Sequence, residues 1–198
     1  MDHKRPAFTH EQMHKVLNGL RAFERTGITR RSKEIRKLLR DYIHFVHMTG
    51  CRPGTELKNL RWSDIDVWND GTDKFLQIRV SGKTGSRLLV ASYRLKKYLD
   101  RIKRRQVKPT MFVFALPDGT QPKDLHGAME KYLESINLLY NNYGQRFSLY
   151  SIRHTYATQR LLRGIAVQKI AKQMGTSQTM IERHYSKLTP MMCASELV

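Results

Sequence analysis

Ser151-Ile152-Arg153-His154-Thr155-Tyr156-Ala157-Thr158 opens the stretch that says most about this chain. From here to residue 185 the sequence reads as three short helices, near 151–163, 166–174 and 177–185. Gly164 and Gly175 fall between them, where a helix C-cap needs a residue at ease in left-handed dihedrals. A run of short helices with arginine, histidine and tyrosine inside them sets the expectation of a helical domain with polar chemistry at its end.

Working outward, the upstream chain keeps that character. Met13, Val16, Leu17 and Leu20 recur at helical spacing behind Thr9, a candidate N-cap. Gly27 and the run Thr29-Arg30-Arg31-Ser32-Lys33 interrupt the pattern. Ile35, Leu38, Leu39, Tyr42, Ile43 and Val46 then share one face of a second helix that stops at Gly50. Pro53-Gly54 marks a turn, and Leu57 and Leu60 a short amphipathic piece. Phe75–Val80 and Arg87–Val90 read as strands joined by the hairpin segment Ser81-Gly82-Lys83-Thr84-Gly85-Ser86. Leu95, Tyr98, Leu99 and Ile102 predict another helix, Met111–Phe114 a short strand, and Leu125, Met129, Tyr132, Leu133 and Ile136 a further helix. The expected fold is mostly α with a small antiparallel β-sheet, an α+β domain over 1–185. Residues 1–9 read as a loose leader and 186–198 as a C-terminal tail.

A chain of 198 residues with 40% apolar content can bury one sizeable core. Lys and Arg number 36 against 17 Asp and Glu, a net charge of +19 that points to a polyanionic partner. The basic residues are spread along the sequence, as on a folded surface that faces phosphates. Cys51 and Cys193 fit neither a metal-ligand spacing nor a disulfide framework, and a reducing cytoplasm suits them. No apolar stretch is long enough to span a membrane, so no membrane partner is expected.

The chemistry-bearing inventory is arginines, a turn lysine, hydroxyls and histidines. HExxH, a complete phosphate loop and GxGxxG are missing from the sequence: Gly82-Lys83-Thr84 echoes a phosphate-loop end, but position 77 is Gln where the loop needs Gly. The inventory suits phosphoryl transfer with no metal or other cofactor. Arginine forks hold the oxygens of a phosphodiester under attack, a lysine can protonate the leaving oxygen, and a tyrosine can be the nucleophile.

Thr49-Gly50-Cys51-Arg52-Pro53-Gly54-Thr55-Glu56-Leu57, continuing to Leu60–Asp66, resembles the first arginine box of the tyrosine recombinases, the phage-integrase family. Ser151–Thr158 resembles their second arginine box, and Met180-Ile181-Glu182-Arg183-His184-Tyr185-Ser186 their nucleophile segment, in family order and spacing. Gly82-Lys83-Thr84 falls on the hairpin where that family keeps a lysine. The resemblance runs from about residue 9 onward. It implies the recombinase catalytic-domain fold and cleavage and rejoining of DNA through a 3′-phosphotyrosine. Tyr185 would be the nucleophile, Arg52 and Arg153 the phosphate clamp and Lys83 the proton donor. His154 and Glu56 would be supporting residues.

Two positions depart from the family pattern. Tyr150 stands three residues before Arg153, where the family usually has His, and Thr176 follows Gly175, where it has His or Trp. Both keep a hydroxyl that can bond a phosphate oxygen, and neither takes up a proton near neutral pH as imidazole does. The resemblance further implies double-stranded DNA with a specific attachment site as partner and a homotetramer on DNA. It also implies accessory DNA-bending or directionality proteins and a tail docking in trans. The helical core-binding domain that family members carry ahead of this one has no counterpart in the 198 residues. A noncatalytic DNA-binding relic and a type IB topoisomerase-like activity are the competing expectations.

Overall fold

The computed structural model describes residues 6–82 and 85–185, the last two as backbone only. Helix α1 spans His10–Arg25 and α2 Arg30–Thr49. Thr9 caps α1 through a reciprocal pair with Gln12, and Thr29 caps α2 through one with Ser32; each such cap is worth about 1 kcal/mol. The basic run from Arg30 therefore begins a helix instead of breaking one. α2 ends on Gly50 at φ 66°, where its N–H closes on the Val46 carbonyl. α3 (Thr55–Asn59) and a 3-10 turn (Trp62–Asp64) lead into the sheet.

Three antiparallel strands follow in simple meander order, β1 (Ile65–Asn69), β2 (Lys74–Gly82) and β3 (Gly85–Ser92). The register pairs Ile78 with Ile65 on one side and with Leu89 on the other. Leu76, Ile78, Val80, Leu89 and Ala91 line the buried face, as the period-2 pattern requires. Helix α4 (Lys96–Arg105) follows, then α5 (His126–Ser135), α6 (Leu149–Leu161), α7 (Val167–Met174) and α8 (Gln178–Tyr185). Central α2 packs against α1, α4, α5, α6 and β3. One apolar cluster fills that interior; a second joins Tyr156, Ala157 and Leu161 of α6 to Ile170, Ala171 and Met174 of α7 and Ile181 of α8.

Two expectations need correction. Phe8, assigned to a loose leader, is 3% exposed, stacks on Phe147 at 4.1 Å between centroids, and donates its N–H to Thr155 Oγ1 at 2.9 Å. Met111–Phe114 forms no strand: a single bridge joins Phe112 to Arg61, and Val113 to Leu116 run buried through the core. Hydrogen bonds to Leu60 O and from Trp62 N hold that segment. No helix among the described residues is long and apolar enough to cross a membrane.

Candidate functional site

The C-terminal end of α7 gathers three arginines from three parts of the chain. The carbonyls of Gln173, Met174 and Gly175 accept, in sequence order, from Arg87 Nε at 3.3 Å, Arg153 Nη2 at 2.9 Å and Arg52 Nη2 at 3.2 Å. The last carbonyls of a helix lack intrahelical donors and lie at the negative end of its dipole, so they suit cations. Gly175, at φ 65°, turns the chain out of α7 at this point, and an added Cβ would lie 2.7 Å from the Arg87 guanidinium.

Arg52 follows α2 and is partly exposed; its backbone N–H donates to Glu56 Oε2 at 2.8 Å. Arg153, one turn into α6, is 5% exposed and also donates Nη1 to the Gly50 carbonyl at 2.7 Å. That single bond ties the start of the first arginine box to the second. Burial, with the Arg52 charge next, lowers the Arg153 guanidinium below its ordinary value. Nearby, Tyr42 accepts the Gly54 N–H at 2.8 Å and fixes the Pro-Gly turn. Cys51 is fully buried and its thiol is pushed up to about 12, chiefly by burial, so it is packing rather than chemistry.

Glu56 is 1% exposed and holds the cluster together. Arg87 reaches it with both terminal nitrogens, Nη1 to Oε1 at 2.7 Å and Nη2 to Oε2 at 2.8 Å. Burial pushes the Glu56 carboxyl up, but the Arg87 bonds, the Arg52 N–H and the surrounding guanidiniums outweigh it and hold the group below the usual carboxylate range. Three guanidiniums around one carboxylate leave the site cationic, ready for a tetrahedral anion.

The sequence had not marked Arg87 or Gln173. The signal for Arg87 was its parity: in β3 it shares the inward face with Leu89 and Ala91, an unusual place for a cation. Gln173 joins three elements, donating Nε2 to Val90 O at 2.8 Å and Thr49 O at 3.2 Å while Oε1 accepts from Val90 N at 3.1 Å.

Of the residues marked by sequence, Arg52, Arg153 and Glu56 come together here. Tyr150 and His154 are partly buried on α6 one turn apart, their rings 6.2 Å between centroids. Thr176 is partly buried directly after Gly175, its N–H bonded to Ala171 O at 3.0 Å. Ser177 Oγ accepts from Met180 N at 3.1 Å and starts α8, whose backbone reaches Tyr185; Ile181, 2% exposed, seats that helix. Lys83 and the tail 186–198 lie outside the described residues. Among the described residues no group of three or more His, Cys, Asp or Glu could hold a metal ion.

A family model described as the phage integrase family matches residues 7–191. A search of curated proteins finds no match. Solved structures similar to this chain include the XerH site-specific recombinase bound to difH substrate, at 16% identity and TM-score 0.72 over 91% of this chain and 50% of that one. A lambda integrase dimer bound to a COC' core site matches at 15% identity and TM-score 0.64, covering 91% and 48%. The Tn1549 transposon integrase in complex with transposon right end DNA matches at 17% and 0.64, covering 91% and 61%. The chain thus spans about half the length of the first two.

Proposed function

This chain belongs to the phage integrase family, and from that premise we propose that residues 1–185 act as the catalytic domain of a tyrosine site-specific recombinase. The observation that carries the proposal is the convergence of Arg52 and Arg153 on adjacent carbonyls, Gly175 and Met174, at the entrance to the helix that ends in Tyr185.

In the proposed reaction the Tyr185 hydroxyl oxygen attacks the scissile phosphorus as its proton passes to solvent. The bond to the 5′-oxygen breaks, and a 3′-phosphotyrosine and a free 5′-hydroxyl result. Arg52 and Arg153 stabilise the charge that builds on the non-bridging oxygens, where one such donor is worth about 10²–10³ in rate. Lys83 protonates the departing 5′-oxygen, and the hydroxyls of Tyr150 and Thr176 donate to the phosphate. Glu56 orients Arg52, and His154 supports Tyr150 from the next turn of α6. The reverse attack, by a 5′-hydroxyl of another duplex, exchanges strands and conserves the phosphodiester energy without an external co-reactant. The partner is double-stranded DNA at a specific attachment site, with a homotetramer on DNA and accessory DNA-bending or directionality proteins. Support for DNA and for the tetramer comes from the DNA-bound state of the XerH, lambda integrase and Tn1549 structures and from a lambda integrase tetramer on a Holliday junction.

A second reading, a DNA-binding protein without catalysis, draws on Tyr150 and Thr176 standing where imidazoles are usual. One experiment separates the two. A nicked suicide duplex carrying the attachment site is incubated with wild type and Tyr185→Phe, and covalent complexes are resolved on a denaturing gel. A band in wild type alone supports strand cleavage by Tyr185. A band in both moves the nucleophile elsewhere, and DNA binding without any band favours the second reading.

A further inference from the structure

A second basic surface lies at the other end of α2. That helix has 20 residues, so its first turn stands about 30 Å from Gly50 and the arginine clamp. There Arg30, Arg31 and Lys37 of α2 face Arg104 and Arg105 of α4 across a cleft of about 670 Å³. Glu34 and Asp118 are the carboxylates in its wall, and Glu34 is taken up by Lys37 at 2.7 Å.

Three observations give this cleft the character of an anion site. The first turn of α2 carries no acidic side chain, and Arg30 and Arg31 stand there against the positive end of the helix dipole. That arrangement opposes helix stability, and a bound anion relieves it. Behind the cleft, Arg105 shares buried Asp41 with Arg101, and Arg40 pairs with Glu24. Arg40 Nε, Arg101 Nε and Arg105 Nη1 are buried with no hydrogen-bond partner among the described residues, against one acceptor of this cluster in the same state, Glu24 Oε2, so donors exceed acceptors there.

The third observation is continuity. A neighbouring concavity of about 460 Å³ is lined by Lys96, Lys97, Asp100, Lys103 and Arg104, and Arg104 belongs to both. The two make one basic strip along the outer face of α4, whose inner face buries Leu99 and Ile102. Ten residues of helix extend about 15 Å, and one strand of a duplex presents a phosphate about every 3.4 Å of axis. The strip is thus matched to a run of phosphates longer than a nucleotide carries. Among the described residues no aromatic side chain lines either concavity to stack on a base, which favours the backbone over the bases as the ligand.

We propose that this strip binds the phosphate backbone of a second DNA duplex, without reading its sequence, while a first duplex occupies the clamp; the word second rests on the reading of the clamp given above. The test mixes the chain, at a concentration where it is monomeric, with two short duplexes that lack the attachment site, one labelled with a donor fluorophore and one with an acceptor, and follows energy transfer between them. Arg30→Glu with Arg104→Glu is the variant: both side chains are exposed, and glutamate at the start of α2 suits the dipole, so the fold is retained.

Wild type should join the duplexes. The double variant should lose at least tenfold of that signal while still shifting a single duplex, and the log–log salt slope of second-duplex binding should fall by about 2. Transfer that persists in the double variant overturns the proposal, as does wild type that joins no duplexes. Wild type that takes inorganic triphosphate or phosphatidylserine vesicles on this strip, and no second duplex, overturns it equally. If Arg52→Ala leaves all duplex binding intact and the double variant abolishes it, the strip stands as a DNA site and the clamp reading fails.

Discussion

Arg87 on β3 and Glu56 on α3 form a two-pronged ion pair at 2.7 and 2.8 Å, with the carboxylate almost completely buried. Removing one member of such a pair leaves the other uncompensated and costs about 3–5 kcal/mol. Arg87→Ala is therefore expected to lower the melting temperature by roughly 10 °C. Glu56→Gln combined with Arg87→Gln should recover much of the loss, because the charge leaves from both sides. A fall of only about 1–2 °C in Arg87→Ala, the scale of a surface pair, would show that the bridge does not hold the site.

Arg52 and Arg153 differ in burial, and their variants should differ accordingly. Arg52→Ala should melt close to wild type yet lower strand cleavage by about 10²–10³. Arg153→Ala should lower both, since it strips the Gly50 and Met174 carbonyls of their donors, each worth about 1–3 kcal/mol when left buried and unpaired. Suicide-substrate cleavage measured beside thermal unfolding checks both. Arg52→Ala cleaving at the wild-type rate would remove Arg52 from the chemistry.

Gly50 sits at φ 66°, and a Cβ there would lie 2.3 Å from the ring of Tyr156. Gly50→Ala combines an unfavourable backbone conformation with overpacking, about 2–5 kcal/mol together. Urea denaturation should show that loss, and Tyr156→Leu in the same chain should return part of it. An unchanged midpoint in Gly50→Ala would mean that α2 does not end as described.

His44, stacked on Tyr98 at 4.1 Å, is pushed down to about 4 by burial, with smaller contributions from His47, Arg40 and Lys97. Between pH 6.5 and about 4 the unfolded chain takes up a proton at this position that the folded chain refuses. Stability from His44 is thus complete above pH 6.5 and is lost as pH falls toward 4, about 3 kcal/mol in all and about 2 kcal/mol of it by pH 5. Urea midpoints at pH 7 and pH 5 should differ more for wild type than for His44→Phe. Equal differences would refute the assignment.

The helices were legible because their punctuation is local. Thr9 and Gly50 each act on neighbours within four residues, so sequence alone places those ends. β1 escaped notice because its residues 66–69 are all exposed and show no alternation to read. Met111–Phe114 looked like a strand because a buried extended segment and a strand share the same apolar run. Arg52 and Arg153 were visible through their boxes, whereas the Arg87–Glu56 pair joins positions 31 apart on different elements, which no local period encodes.

The carbonyls of Gln173, Met174 and Gly175 draw on partners 86, 21 and 123 positions away, and Arg153 reaches Gly50 across 103. Three of the four bonds close loops of 86 to 123 residues and so carry a loop-closure cost, while the Arg153–Met174 bond closes within the C-terminal helices. The complete clamp needs both Arg52 and the end of α7, so a fragment that lacks either one does not form it. Should the chain cut DNA as proposed, a nascent molecule that has not yet reached Gly175 lacks the carbonyl that seats Arg52, and cleavage waits on the C-terminal helices.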